Sequence, residues 1–127
     1  MYKSIIIEKN VPFVGKTDIY TIERDDKAIP ITHKVGGFMH EKVKPEIKKL
    51  SHADFRPVFD AFNNLDFTKA WKESGDLVGF DGWTLKCQIY HVASEISISL
   101  WCPEKHHSKP ETTKLLEACE KVFSLFQ

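Results

Sequence analysis

Alternating apolar and polar residues near the start of the chain predict a β-hairpin. Residues 3–8, KSIIIE, form a β-branched run that indicates a first strand. DIYTIER then alternates, DDK indicates a turn, and AIPIT returns beside it. A turn at residues 25–26 makes Ile22 face Ile29 and Tyr20 face Ile31, which gives the hairpin one apolar face. Pro30 cannot donate to a ladder, so its strand is predicted at a sheet edge.

The next segments predict a polar excursion, a helix and a connector. HKVGGFMHEKVKPEIKKL is expected to be a surface loop with a short helix in PEIKKL. SHADFRPVFDAFNNLDF predicts the first main helix, because its phenylalanines recur at helical spacing. Asp54 is favoured over Ser51 as its N-cap, since this places Pro57 in the first turn. TKAWKESGDLVGFDG is predicted to be a polar connector, with Trp71 half exposed.

A second hairpin is predicted from the pattern between residues 84 and 102. A turn at residues 93–94 makes Ile89 face Ile98, Cys87 face Leu100 and Leu85 face Cys102. This register divides the hairpin into one aliphatic face and one polar face on both strands at once.

SKPETTKLLEACEKVFSLF predicts the second main helix, with Ser108 and Glu111 as a capping box and Pro110 in the first turn. Its apolar stripe is formed by Leu115, Leu116, Cys119, Val122, Phe123 and Phe126. The opposite face carries Lys114, Glu117, Glu120 and Lys121.

These elements predict a single α+β domain over residues 1–127. We expect an antiparallel sheet of about four to five strands with two main helices packed on one face, in the order ββ(β)–α–ββ–α. A βαβ alternation with a glycine-rich turn does not occur in the sequence, which argues against a Rossmann fold. A hydrophobic fraction of 42% with fifteen aromatic residues is enough to form a core.

Charge and targeting signals narrow the classes of function. Lysine plus arginine equals aspartate plus glutamate, 18 against 18, so nucleic-acid binding is not expected. Residues 51–82 hold six acidic and three basic residues, an acidic segment able to meet a cationic partner. The N-terminal apolar run is too short for a signal peptide, and no segment is long enough to span a membrane. We therefore expect a cytoplasmic protein with reduced thiols.

Cysteine and histidine residues cluster between Gly79 and His107, but their spacing does not predict a metal or thiol site. The predicted register buries Cys87 and Cys102 among aliphatic residues, and Cys119 lies on the apolar stripe of the last helix. His91 is separated from His106 and His107 by the length of the hairpin. We expect no metal and no cofactor. Without a phosphate-binding loop or a nucleophile motif, the protein is predicted not to be an enzyme.

The predicted function is recognition of another protein. The candidate partner-binding residues are the aromatic residues on or near the polar side of the second hairpin and four acidic residues of the middle segment. They are Tyr90, Trp101, Trp83, Asp66, Glu73, Asp76 and Asp81.

Over residues 79–126, GFDG opens a strand hairpin, SLWCP closes it, and a leucine-rich final helix follows. In these features the C-terminal half resembles small bacterial α+β immunity proteins of polymorphic and contact-dependent toxin systems. The resemblance implies a cytosolic inhibitor that occludes a cognate toxin, with a basic toxin domain as the partner, and it transfers no functional residue. Two alternatives stay open. One is a ligand-binding domain or enzyme with a pocket between sheet and helices, and the other is a homodimeric structural or adaptor protein.

Overall fold

Six strands and three helices make up the part of the chain that the structure describes. The computed structural model describes residues 4–11, 16–23, 29–36, 44–74, 83–90, 94–101 and 109–127. The α+β class with an antiparallel sheet is confirmed, with more strands than expected and one additional helix. The elements in chain order are β1 (Ser4–Val11), β2 (Lys16–Glu23), β3 (Ile29–Gly36), β4 (Glu46–Leu50), α1 (His52–Asn63), α2 (Phe67–Ser74), β5 (Thr84–Tyr90), β6 (Glu95–Trp101) and α3 (Pro110–Ser124).

The strands form one sheet in the order β4-β3-β2-β1-β5-β6, and every neighbouring pair is antiparallel. β1 lies between the two predicted hairpins and joins them. Its Ile5 and Ile7 are completely buried. The chain thus closes a continuous sheet by placing its first strand at the centre.

Both hairpins have the predicted faces but a register shifted by two residues. Ile22 faces Ile31 in the first hairpin, and Cys87 faces Ile98 in the second. Because side chains alternate with a period of two, a shift of two residues leaves each side chain on its predicted face. Polarity patterning therefore determines the face and cannot distinguish these registers.

The prediction that Pro30 lies in an edge strand is wrong, because β4 pairs with β3 on its outer side. Pro30 is tolerated near the start of β3, one residue beyond Ile31, at which the ladder with β2 ends. The prediction of a short helix in PEIKKL is also wrong, since Glu46–Leu50 forms β4, the strand that pairs with the outer side of β3. A five-residue helix would leave most of its backbone unbonded, whereas pairing with β3 satisfies it.

α1 begins earlier than predicted. Ser51 is the N-cap, and its side chain accepts the main-chain N–H of Asp54 at 3.1 Å. Asp54 is therefore not the cap, and Pro57 lies inside the helix. The predicted phenylalanine stripe is confirmed where it matters for the core, since Phe55 and Phe62 are buried.

The predicted connector contains a helix, α2. Asp66 caps it, because its Oδ1 accepts the Lys69 N–H at 3.0 Å and its carbonyl accepts the Ala70 N–H at 2.9 Å. Ala70 is the buried residue of this helix. One alanine gives too weak an apolar stripe to reveal a helix from the sequence.

α2 and α3 cap each other through two carboxylates. Glu73, near the end of α2, accepts the Glu111 N–H in the first turn of α3 at 3.1 and 3.2 Å. Glu111 in turn accepts the Asp66 N–H at the start of α2 at 3.1 Å. The predicted capping box is wrong in its N-cap, which is Lys109, and Ser108 itself lies outside the described residues.

The core lies between one face of the sheet and the three helices. The α3 stripe is confirmed, with Leu115, Cys119 and Val122 completely buried and its predicted polar face exposed. These side chains form one cluster with the inward-facing residues of β1, β2, β3, β5 and β6, together with Phe55 and Phe62 of α1. All described helices thus contribute to the same side of the sheet.

Replacing Glu111 by glutamine tests the mutual capping. The Asp66 N–H lowers the pKa of Glu111 below its ordinary value of 4.5, burial opposes this, and Lys114 at 3.2 Å reinforces it. A depressed folded-state pKa stabilises the fold above pH 4.5, and this contribution is lost as the pH falls through the folded pKa. We expect Glu111→Gln to lower the free energy of unfolding by about 1–2 kcal/mol at pH 7.

The difference from the native chain should shrink in urea titrations performed below pH 4.5. Glu117→Gln is the control, since Glu117 is an exposed carboxylate on the same helix. An equal loss of stability in both variants, or a pH-independent difference, would contradict the capping role.

Candidate functional site

The face of the sheet opposite the helices is the main candidate surface, here called the open face. None of the described helices packs on it, because their buried side chains belong to the core on the other side. The strand registers place on it Ser4, Ile6, Glu8, Asn10, Thr17, Ile19, Thr21, Glu23, Pro30, Thr32, Lys34, Gly36, Ile47, Lys49, Thr84, Lys86, Gln88, Tyr90, Glu95, Ser97, Ser99 and Trp101.

Cross-strand pairing arranges the open face in rows. The central row crosses all six strands and runs Ile47, Thr32, Thr21, Ile6, Gln88, Ser97. Ile47 at its β4 end is 62% exposed, which is unusual for an isoleucine. The next row mixes charges, with Glu8 between Ile19 and Lys86. The surface is therefore mixed in polarity, with no excess of one charge sign.

Tyr90 and Trp101 lie on the open face, as the polarity pattern predicts. Tyr90 pairs with Glu95 at one end of the second hairpin, and Trp101 pairs with Thr84 at the other. The six-residue offset along β5 separates the two ends by about 20 Å. Both side chains are half-buried, and their role in binding stays a prediction.

Trp83 lies on the other side of the sheet. It is two residues before the buried Leu85, so strand alternation directs both to the helix side, where Trp83 packs against the core. The Lys9 Nζ stands 5.2 Å from the centre of a Trp83 ring and 5.4 Å from that of Phe123. The predicted grouping of Trp83 with Tyr90 and Trp101 on one surface is therefore wrong.

Two of the four predicted acidic site residues have partners within the fold. The Asp66 carboxylate caps α2, and the half-buried Glu73 carboxylate caps α3. Both carboxylates bond to helix N-termini, where the helix dipole favours a negative charge. Asp76 and Asp81 lie outside the described residues.

A second candidate surface lies at the β6 edge of the sheet. Trp71 of α2 is 56% exposed and stands beside β6. Together with Thr68 it walls a groove of about 330 Å³ whose other side is Glu95, Ile96 and Ser97. We call this the Trp71 groove. The polarity of the segment predicts a partly exposed Trp71. Its position beside β6 could not be predicted from the sequence, because it depends on the α2 helix.

A buried polar cluster of Asp18, Tyr20 and His33 lies at the β2–β3 side of the core and was not predicted. His33 Nε2 and Asp18 Oδ1 are 2.8 Å apart, with only 13% and 11% of their side chains exposed. The His33 ring stacks on Tyr20 at 4.4 Å and contacts Phe126 at 5.2 Å. Asp18 and His33 occur in phase with the buried residues of β2 and β3, which is the signal that could have revealed them.

The chemistry of this cluster is structural in character. Burial, followed by the charges of Asp18 and Glu46, raises the pKa of Tyr20 to about 12. Its phenol therefore stays protonated at neutral pH. The contact between His33 and Asp18 satisfies two polar groups at the rim of an apolar core, where an unpaired group would be costly.

Two cysteines meet inside the core. Cys87 is buried as predicted, and Cys119 is buried beside it on α3. Burial raises the pKa of the Cys119 thiol well above its usual range, and the neighbouring Cys87 sulfur raises it further. Such thiols are poor nucleophiles because the thiolate is the reactive form. Cys102, His91, His106 and His107 lie outside the described residues.

Within the described ranges, no group of three or more His, Cys, Asp or Glu side chains is arranged to hold a metal ion. The described helices are too short or too polar to cross a membrane. Comparisons with known proteins add no relative, since no family model, no curated protein and no solved structure matches the chain significantly.

Replacing Asp18 by alanine tests the buried cluster. The His33 ring would lose its acceptor while staying largely enclosed, so we expect unfolding to become about 1–3 kcal/mol easier in urea titrations. Glu23→Ala, at an exposed carboxylate of the same strand, should change stability by less than about 0.5 kcal/mol. A neutral effect of Asp18→Ala would show that the contact does not support the fold.

The two core thiols should resist alkylation. Because Cys87 and Cys119 are completely buried, N-ethylmaleimide should label them only when the chain unfolds. Peptide mapping by mass spectrometry after labelling with and without urea distinguishes the sites. Rapid labelling of either residue in the native chain would contradict this placement.

Proposed function

We propose that the chain is a non-enzymatic protein-binding module whose partner docks on the open face. The observation that carries this proposal is the open face itself, a six-stranded surface that none of the described helices covers. Sheets with helices on one side usually expose a uniformly polar outer face, whereas this face carries Ile6, Ile19 and the exposed Ile47. Tyr90 and Trp101 add aromatic residues of the kind enriched at protein interfaces.

The dimensions of the open face support a protein partner over a small molecule. Six strands spaced by about 4.8 Å span about 24 Å, and strands of 5 to 8 residues extend for about 17–26 Å. Such a surface, of several hundred Å², is of the same order as the roughly 800 Å² that each partner contributes to a standard interface. Small ligands prefer concave sites that enclose most of their surface, whereas the open face is a broad sheet surface that none of the described helices covers.

Charge on the open face supports a partner of mixed polarity. Glu8, Lys34 and Lys86 place both signs within one row. The acidic segment contributes less than the sequence suggests, because Asp66 and Glu73 bond to helix N-termini. Steering of a strongly basic partner would then depend on Asp76, Asp81 and the long-range field rather than on these two residues.

A more specific proposal is that the partner is a bacterial toxin domain and that the chain acts as a cytosolic immunity protein. This step rests on the resemblance of residues 79–126 to such proteins. An inhibitor of this kind needs no catalytic group, since occupying the toxin surface is sufficient. A broad face built on paired strands suits occlusion, because side chains held by a sheet lose little conformational entropy on binding.

Co-expression with the proteins encoded beside the gene tests the proposal. One neighbouring product should arrest growth when expressed alone, and this chain should restore growth and co-purify with it. Thr21→Arg places a long charged side chain in the central row and should weaken the complex by at least about tenfold in a calorimetric titration.

Ser124→Arg is the matched control, since it adds the same charge at an exposed position on the helix side. It should leave both rescue and affinity unchanged. If Ser124→Arg abolishes binding while Thr21→Arg does not, the open face is not the docking surface. If no neighbouring product is toxic or binds the chain, the immunity role is wrong.

A further inference from the structure

The two edges of the sheet differ in how they resist pairing with another strand. β4 is short and carries Lys48 and Lys49, and lysines on an edge oppose the approach of a second strand. β6 is seven residues long, EISISLW, and its single charge, Glu95, lies at one end. Of the strands in the described ranges, none pairs with the outer edge of β6. Within the described residues, β6 therefore carries no lysine or proline that would oppose pairing, and its edge is chemically suited to accept a strand.

Alternation along β6 makes this edge compatible with a copy of itself. Ile96, Ile98 and Leu100 point to the core side, whereas Ser97 and Ser99 are exposed on the open face. An antiparallel two-fold pairing keeps core-side residues opposite core-side residues. The overall charge of the chain is zero, so two copies do not repel at long range.

We propose that two copies of this chain associate through their β6 edges, antiparallel and with the two-fold axis at Ile98, to form one continuous sheet of twelve strands. Ser97 then faces Ser99 of the second copy, and Ile96 faces its Leu100. Glu95 faces Trp101 of the second copy, so no like charges meet. The pairs next to the axis thus join residues of matching polarity, and the end pairs bring no like charges together.

The position of α2 fits this arrangement. The Trp71 groove lies at the end of β6 that contains Glu95, Ile96 and Ser97. A two-fold axis at Ile98 places the α2 of the second copy at the opposite end, beside residues 99–101 of the first. The two α2 helices therefore lie diagonally across the seam instead of colliding. Trp71 of each copy then borders the strand of the other, which gives its exposed ring a partner.

The expected affinity is modest. A pair of seven-residue strands with one aromatic side chain at each end forms a small interface, so we expect a Kd on the order of micromolar. The proposal concerns the isolated chain and does not depend on the proposed function, because no other protein takes part in the association.

Sedimentation velocity and light scattering of the purified full chain, from about 1 to 500 µM, test the proposal. We expect a monomer at the lowest concentration and a dimer at the highest. A monomer over the whole concentration range would overturn it. This outcome includes the case in which β6 pairs with a strand of a different protein and not with a second copy.

Paired charge variants test the register. In Ser97→Glu/Ser99→Glu, equal charges meet across the seam, and the dimer should weaken by at least about tenfold. In Ser97→Lys/Ser99→Glu, opposite charges meet, and the dimer should persist. Both variants place Glu beside Lys86 within the chain, so they differ only at residue 97. A two-fold axis at Ser97 or Ser99 would set like charges opposite each other in the second variant as well, so its dissociation would overturn the Ile98 register.

Thr84→Glu/Gln88→Glu is the control for total charge. It adds the same two charges on the same face, one strand inward from the edge. Its dimerisation should match that of the native chain, and loss of the dimer would show that bulk charge, not the edge, controls association. Circular dichroism and urea titration of each variant confirm that the compared chains are folded. A persistent dimer in Ser97→Glu/Ser99→Glu would overturn the proposal.

Discussion

Burial of β1 at the centre of the sheet is the constraint on which the rest of the structure depends. Ile5 pairs with Ile22 and Ile89, and Ile7 pairs with Tyr20 and Cys87, so each extends a buried row into both hairpins. Each fully buried isoleucine contributes about 1.5–3 kcal/mol. Without this strand the two hairpins would be separate ribbons with exposed apolar sides, and α3 would have no continuous surface to cover.

The helix layer is held over that core partly by polar contacts. Glu73 of α2 accepts a main-chain N–H at the start of α3, and Glu111 of α3 accepts one at the start of α2. These two hydrogen bonds hold the helix ends together, although α2 buries a single alanine. This arrangement explains why a helix with such a weak apolar stripe is stable here, since most helical stability in proteins comes from tertiary contacts. It also places Trp71 beside β6, so the hydrogen bonds that hold α2 in place also position one wall of the Trp71 groove.

The same arrangement separates the parts of the molecule that are internally satisfied from those available for contact. The Asp18–His33 pair and the two core thiols are enclosed and have partners, so they stabilise the fold. The open face and the β6 edge, by contrast, carry apolar and main-chain groups for which the described residues supply no cover. The open face and the β6 edge are separate surfaces, so the proposed partner and the proposed second copy would bind at different places.

Polarity patterning by itself determined the α+β class, the buried face of each strand and the stripe of α3, because a period of two or of 3.6 is written directly in the side chains. It also placed Tyr90 and Trp101 on the open face. Register shifts of two residues preserve that pattern, so only the sheet decided the pairing. The α2 helix, the edge strand β4 and the buried Asp18–His33 contact needed tertiary structure, since each is stabilised by residues distant in the chain. The interpretation of the acidic segment changed most, because Asp66 and Glu73 bond to helix N-termini, and net charge cannot reveal such contacts.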